Sequence, residues 1–372
     1  MNSPAPPRAP LPSRTALHAR YAWDTGRRLA PVRCGWDGAR GRHRPVRARS
    51  LPAGPVRLSY AGLGEGPRHV LEFLRQQGVP TAAAGTDDAP ADILLRGTTA
   101  RTVPDLPPAT LLLPFRVRLV VPVGEGTEAL HARISRRERR SFAVHRRERG
   151  WTWERATGPW AFDHFYERMH LPTMRRRHGC ATRSLPPDLA YECLFRRGAL
   201  FFVVENGTPV AGVLCARPAH SRTLTMRLLG VLDGAEEHYA SGAARALTHF
   251  ALEWACTHGM THVDLSGCEP FLSKGIFQFK QRFHPECRLP ADHFGGKRLV
   301  LRVVRDTPGV RDLLVANPVV ALAAGGFEAG GFEALYFHDA DRPPRTDLAW
   351  QCPGILRARH LGLDAFLQMV SR

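Results

Sequence analysis

Ala199-Leu200-Phe201-Phe202-Val203-Val204, Asn206-Gly207, and then Val210 to Ala216 form a run of aromatic and β-branched residues broken by a single turn pair. Such runs read as strands, and Asn-Gly tolerates the positive φ angles of a tight hairpin. Thr223 to Leu232 reads as a third strand. Polarity then rises through Asp233, Gly234, Glu236, Glu237 and His238, which reads as a loop. Ser241 is the expected N-cap of a helix from about Gly242 to His258, whose apolar positions Ala243, Ala246, Leu247, Phe250, Ala251 and Trp254 keep a 3.6-residue period. Gly259 stands where a C-terminal glycine belongs, and His262 to Ser266 reads as the closing strand. Strand, loop, helix and strand with short connections predict a parallel crossover. The expected class is therefore α/β with a mixed sheet. The loop before the helix offers backbone amides at the positive end of a helix dipole, which suits a phosphate. Its glycines match neither a Walker A loop nor a dinucleotide fingerprint, so the alternative of a plain turn stays open.

Three phrases within about Arg136 to Phe283 carry a family resemblance. Tyr239-Ala240-Ser241-Gly242-Ala243-Ala244 resembles the Gln/Arg-x-x-Gly-x-Gly/Ala phosphate loop of GNAT-superfamily acyltransferases, with tyrosine in the leading place. Phe165 to Met174, followed by Arg177-His178-Gly179, resembles the FemAB-like branch of that superfamily. So does Asp264-Leu265-Ser266-Gly267 leading to Gly275-Ile276-Phe277-Gln278-Phe279-Lys280-Gln281-Arg282-Phe283.

The resemblance implies a GNAT-like fold, with two GNAT-like halves of which the second is the better preserved. It implies an N-acyltransferase that moves an acyl or aminoacyl group to an amine. The cosubstrate would be acyl-CoA or another carrier, an acyl carrier protein or an aminoacyl-tRNA, with no metal. A thioester or aminoacyl ester is already activated, so direct attack needs no protein nucleophile. The enzyme has to position both partners, stabilise the oxyanion and take a proton. Lys280 is the expected oxyanion donor, and Asp264, at a strand end where α/β folds place ligands, an expected proton acceptor. Glu269 is a further catalytic candidate. Val231, Leu232, Gly234, Tyr239, Ser241, Gly242 and Ala243 are expected to hold the carrier, and Arg177, His178, Phe279 and Lys274 to face the acceptor. Glu237 in the loop would repel a pyrophosphate, which favours a donor other than ordinary acyl-CoA or a site shifted along the loop.

Composition sets the outer bounds. The chain has 372 residues and a formal charge of +18. Residues 1–50 hold 11 Arg and 2 Asp, and residues 131–150 hold 8 Arg and 2 Glu. The rest of the chain is close to neutral. Arginine forks grip phosphates, so these two patches are the expected contacts for tRNA or an acyl carrier protein. A solvated helix face is the alternative for the second patch. A competing reading keeps the fold without catalysis, as a binding protein whose arginine-rich arm grips nucleic acid or an acidic partner. The eight cysteines show no Cys-x-x-Cys spacing, which disfavours zinc and suits a reducing, cytoplasmic setting. No run of about 18 apolar residues predicts a transmembrane helix. The expected organisation is a disordered Pro/Arg-rich tail over 1–54, a degenerate GNAT-like half over 55–130, the catalytic domain over 131–295 and a strand-plus-helix extension over 296–372. The sequence does not fix an oligomeric state.

Overall fold

The computed structural model describes residues 12–43, 51–53, 56–71, 73–74, 91–179, 184–218, 221–323 and 331–370. In chain order the strands are β1 (Leu51–Ala53), β2 (Val56–Gly62), β3 (Ile93–Thr99), β4 (Thr110–Pro114), β5 (Val117–Pro122), β6 (Thr152–Ala156), β7 (Ala199–Glu205), β8 (Thr208–Ala216), β9 (Thr223–Val231), β10 (His262–Cys268), β11 (Glu286–Arg288), β12 (Lys297–Val303), β13 (Val319–Leu322), β14 (Phe332–His338) and β15 (Ile355–Gly362). They form a seven-stranded sheet of order β11-β5-β10-β9-β8-β7-β6, a five-stranded sheet of order β1-β2-β3-β12-β4, and a three-stranded sheet of order β13-β14-β15.

The seven-stranded sheet carries the expected layout. β7 and β8 pair antiparallel through Asn206 (φ 49°) and Gly207 (φ 78°), the left-handed pair a tight hairpin requires. β8 and β9 are antiparallel, and β9 and β10 are parallel across the helix Ala243–Thr257. That helix buries Ala243, Ala246, Leu247, Phe250, Ala251 and Trp254 against the sheet, the stripe that its periodicity predicts. Gly259 (φ 69°) follows it in the left-handed conformation. This is the mixed α/β layout that the acyltransferase resemblance implies. On the opposite face lie Pro159–Asp163, a π-helical stretch His164–His170 and the helix Leu171–His178, burying Phe162, Phe165, Tyr166 and Met169. Pro172 and Thr173 are helical. Pro172 falls in the first turn of Leu171–His178, where its missing N–H costs little, and the wider turn before it relieves the ring's clash.

Three expectations are corrected. Ser241 does not cap the helix; Gly242 (φ 89°) is the N-cap and the Ser241 hydroxyl donates to the His238 carbonyl at 3.1 Å. The ranges expected as consecutive units share their sheets. β5 joins the seven-stranded sheet, and β12, beyond residue 296, lies between β3 and β4 with nearly every side chain buried. A strand covered on both faces cannot serve as a peripheral extension.

The third correction concerns the amino-terminal segment. The helices Arg14–Thr25 and Ala30–His43 are folded onto the body, where a disordered tail was expected. Leu17 packs with Leu189 and Cys193. Asp37 accepts from the fully buried Lys297 ammonium at 2.7 Å. Glu65 and His293 complete the ring around Lys297 at 2.6 and 2.8 Å. A buried ammonium is tolerated only with such partners, so the acid on the helix and the lysine on β12 hold each other in place.

Candidate active site

β9 and β10 pair over only three positions, His262↔Thr223, Val263↔Leu224 and Asp264↔Thr225. Two irregularities then fall at one level. The register of β10 on β5 shifts between Asp264 and Gly267. The register of β9 on β8 shifts where Leu228 and Met226 oppose Leu214 and Cys215, leaving Arg227 as the extra residue of a bulge. The strands part here, with the Ser266 hydroxyl donating to the Met226 carbonyl as the bridge. Ser266 has φ 65°, a strained value for a residue with a Cβ, and its amide is held by Asp264 Oδ1 at 2.8 Å.

Further along, the free edge of β9 is met by the helical segment. His170 Nδ1–H donates to the Leu229 carbonyl at 3.0 Å. The Thr173 hydroxyl accepts from the Val231 amide at 2.9 Å and donates to its carbonyl at 3.3 Å. The approach is so close that a Cβ on Gly230 would lie 2.4 Å from the Met169 carbonyl carbon. Among the described residues the edge of β9 at Met226–Leu228 that faces away from β8 therefore has no strand partner, between the end of the β10 pairing and the His170 helix.

Lys280 reaches this point from the helix Gly275–Gln281. Its Nζ donates to the Ser266 carbonyl at 2.9 Å, and burial pulls its pKa down to about 8. Asp264 Oδ2 accepts from Arg118 at 2.8 Å, and the other arm of Arg118 reaches Asp292 at 2.7 Å. Asp264 and Lys280 thus converge on Ser266, but the Asp264 carboxylate is already committed to a guanidinium and an amide.

His170, which the sequence reading passed over, is 2% exposed. With Nδ1 protonated toward Leu229, its Nε2 carries the lone pair, and that atom has no hydrogen-bond partner among the described residues. Burial lowers its pKa, so it stays neutral and able to accept a proton. Arg227 Nε, on the same edge of β9, is likewise buried and unpartnered. Unsatisfied buried polar atoms are rare, and these two belong to a residue on β9 and a residue packed against it.

The loop after β9 leads to the helix Ala243–Thr257. Leu232–Gly234 and Glu236–Ala240 are short helical turns leading to Gly242. The amides of Ala243 and Ala244 open the helix without an intrahelical acceptor. Arg245 Nη2 and His145 Nδ1 lie 2.9 and 3.4 Å from where a Gly242 Cβ would be. Arg177 stacks over the Tyr239 ring at 3.5 Å, which puts it on this loop rather than on the acceptor side. The Glu237 carboxylate is exposed beside His238.

The remaining candidates have other duties. Val231 has both backbone groups taken by Thr173, and the Leu232 carbonyl accepts from Ala235. Glu269 is buried and pairs with Lys274 and with His69 at 2.8 Å. Burial would raise its pKa, but His69, Arg116 and Lys274 together hold it well below the usual carboxylate range. Because His69 follows β2, this cluster ties the five-stranded sheet to the end of β10. Phe279 packs into the core edge-on to Phe283 at 5.5 Å. The His178 side chain lies outside the described ones. The arginine-rich segment is the helix Arg136–Arg149, which buries Phe142 and follows the buried Ile134. It borders a separate concavity of about 600 Å³ lined by Arg139, Arg146, Arg147, Phe142, Trp151 and His249.

No family model matches the chain, and no curated protein matches it in sequence. Solved structures with a similar course of the chain include FemX, 13% identical over 68% of this chain and 82% of that one, at a TM-score of 0.40. L-PGS from Bacillus licheniformis is 13% identical over 72% of this chain and 87% of that one, at 0.37. A putative GNAT-family acetyltransferase from Novosphingobium aromaticivorans is 13% identical over 72% and 96%, at 0.27.

Proposed function

We propose that the chain is an N-acyltransferase that moves an acyl or aminoacyl group from a phosphate-bearing carrier to an amine by direct attack. The observation that carries this reading is the convergence of Asp264 and Lys280 on Ser266, at the level where β9 and β10 part. A non-catalytic binding protein would have no need for a buried lysine at that bend.

In this reading the carrier's phosphates rest on the amides of Ala243 and Ala244, with Arg245 and Arg177 beside them. Its arm runs along the edge of β9 beyond the Ser266–Met226 bridge, where backbone groups of the strand hold an extended ligand as a neighbouring strand would. The amine nitrogen attacks the carbonyl carbon, and the π electrons move to oxygen. The Lys280 ammonium donates to that oxyanion. His170 Nε2 takes the proton shed by the amine, directly or through one water. The oxyanion then collapses, the C–S or C–O bond breaks, and the leaving thiolate or alkoxide receives the proton that His170 took, which returns His170 to its neutral form. Asp264 acts as a positioning residue, holding the Ser266 amide and with it the carbonyl to which Lys280 is bonded.

The test is a donor screen with acyl-CoA thioesters, acyl carrier protein thioesters and aminoacyl-tRNA against a panel of amines, read by mass spectrometry of the amide product. Transfer that needs Lys280 supports the reading. A donor that is consumed equally well by Lys280→Ala removes Lys280 from the chemistry.

A further inference from the structure

The helix Ala30–His43 has two unlike faces. Cys34, Asp37, Gly38 and Gly41 recur at helical spacing and face the body. Cys34 Sγ lies 2.7 Å from where a Gly296 Cβ would be, Asp37 holds Lys297, and the Gly38 position is 2.7 Å from the Thr99 methyl. The outward face is apolar at its centre. Val32 is 60% exposed, Trp36 is 55% exposed, and Leu29, just before the helix, is 37% exposed. Among the described residues nine large hydrophobic side chains are exposed, and these three share one strip of surface. Single exposed apolar residues need no explanation, but a cluster held on a rigid, anchored helix does.

The rim of the strip is cationic. Arg27, Arg28 and Arg40 are exposed, and Arg40 lies over the Trp36 ring at 5.7 Å. These three arginines make no ion pair among the described residues. The acids of this stretch are spoken for, since Asp24 and Asp37 both pair with Arg33 and Asp37 turns inward to Lys297.

We propose that this face docks the protein on an anionic phospholipid surface. Tryptophan and short aliphatic side chains on one side of a helix enter the boundary between headgroups and acyl chains, and flanking arginines meet the lipid phosphates. A second copy of the chain is a poorer occupant, because a self-paired face would set arginines against arginines with no acid between them. A nucleic-acid backbone answers the arginines but gives Leu29 and Val32 nothing to bury against. The proposed binding lays one helix face on the lipid surface; no helix among the described residues is long and apolar enough to cross a membrane.

The test is co-sedimentation of the full-length chain with vesicles mixing phosphatidylglycerol and phosphatidylcholine, beside vesicles of phosphatidylcholine alone. The wild type is expected to sediment with the anionic vesicles, weakening on the order of tenfold on pure phosphatidylcholine or at high salt. Trp36→Ser and Val32→Glu, both at exposed positions, are expected to lower binding by about tenfold or more while leaving circular dichroism and melting unchanged. Equal binding to both lipids, no binding, or binding untouched by the two substitutions overturns the proposal. Light scattering that shows a dimer abolished by Trp36→Ser assigns the face to a second copy, and RNA binding abolished by that change assigns it to nucleic acid; either result also overturns it.

Discussion

The Lys280 ammonium donates to the Ser266 carbonyl at 2.9 Å, and the same Ser266 reaches across with its hydroxyl to the Met226 carbonyl. One strained residue therefore links the buried lysine to both separating strands. Lys280→Ala is expected to lower turnover by about 10²-fold, the usual cost of one oxyanion donor. Donor affinity, read by titration, is expected to change by less than about threefold, because the lost contact forms mainly in the transition state. An unchanged turnover would take Lys280 out of the mechanism.

Lys280 also predicts a pH signature. Burial lowers its pKa to about 8 from the ordinary 10.5. Between those values the unfolded chain holds a proton that the folded chain has released, so this group makes stability rise with pH across that window and adds no slope below it. Lys280→Met removes the buried charge. Its stability advantage over the wild type is expected to be greatest below pH about 8 and to shrink as pH rises toward about 10.5, which urea unfolding at several pH values measures. Over the same range wild-type turnover is expected to fall as the ammonium is lost.

His170→Asn keeps a donor for the Leu229 carbonyl, since the asparagine amide takes the place of Nδ1, but it has no Nε2. We expect turnover to drop by about 10² with melting little altered. Recovery of rate by added imidazole in His170→Gly would place the lost function in the ring. If His170→Asn transfers at the wild-type rate, the proton leaves by another route.

Glu269→Gln separates structure from chemistry. The carboxylate is buried with Lys274, His69 and Arg116 around it, so neutralising it leaves buried cations without their counter-charge. The expected loss is about 3 kcal/mol in denaturant unfolding. Turnover per folded molecule is expected to fall far less than in Lys280→Ala. A stable protein with abolished turnover would return Glu269 to the catalytic group.

Gly230→Ala tests the packing that walls the site. The new methyl would lie 2.4 Å from the Met169 carbonyl carbon and 2.6 Å from the His170 amide nitrogen, both backbone atoms. A cost of about 2 kcal/mol is expected in urea unfolding, with turnover reduced because the His170 helix is pushed off β9.

The strands and helix from Ala199 to Ser266 were legible because each is written locally, as alternation, a turn pair or a 3.6-residue period. Lys280 and Asp264 were legible as positions on those elements, but the Arg118 that occupies Asp264 comes from β5, 146 residues earlier. The amino-terminal helices escaped notice because little apolar surface marks them; Asp37 finds its lysine 260 residues away. The place of β12 between β3 and β4 is a matter of pairing, on which a single strand's composition is silent. In the sequence His170 and Thr173 stood out only as members of the Phe165 to Met174 phrase. Their meaning came from lying against the free edge of β9, and a bulge at Arg227 created that edge.

Hydrogen exchange at the amides of Met226–Leu229 and Ala243–Ala244, with and without each donor of the screen, tests the central claim most directly. The account predicts that the donor which supports transfer slows exchange at both segments together, and that Lys280→Ala retains this protection while losing turnover. Transfer accompanied by protection elsewhere, with these two segments unchanged, would contradict it.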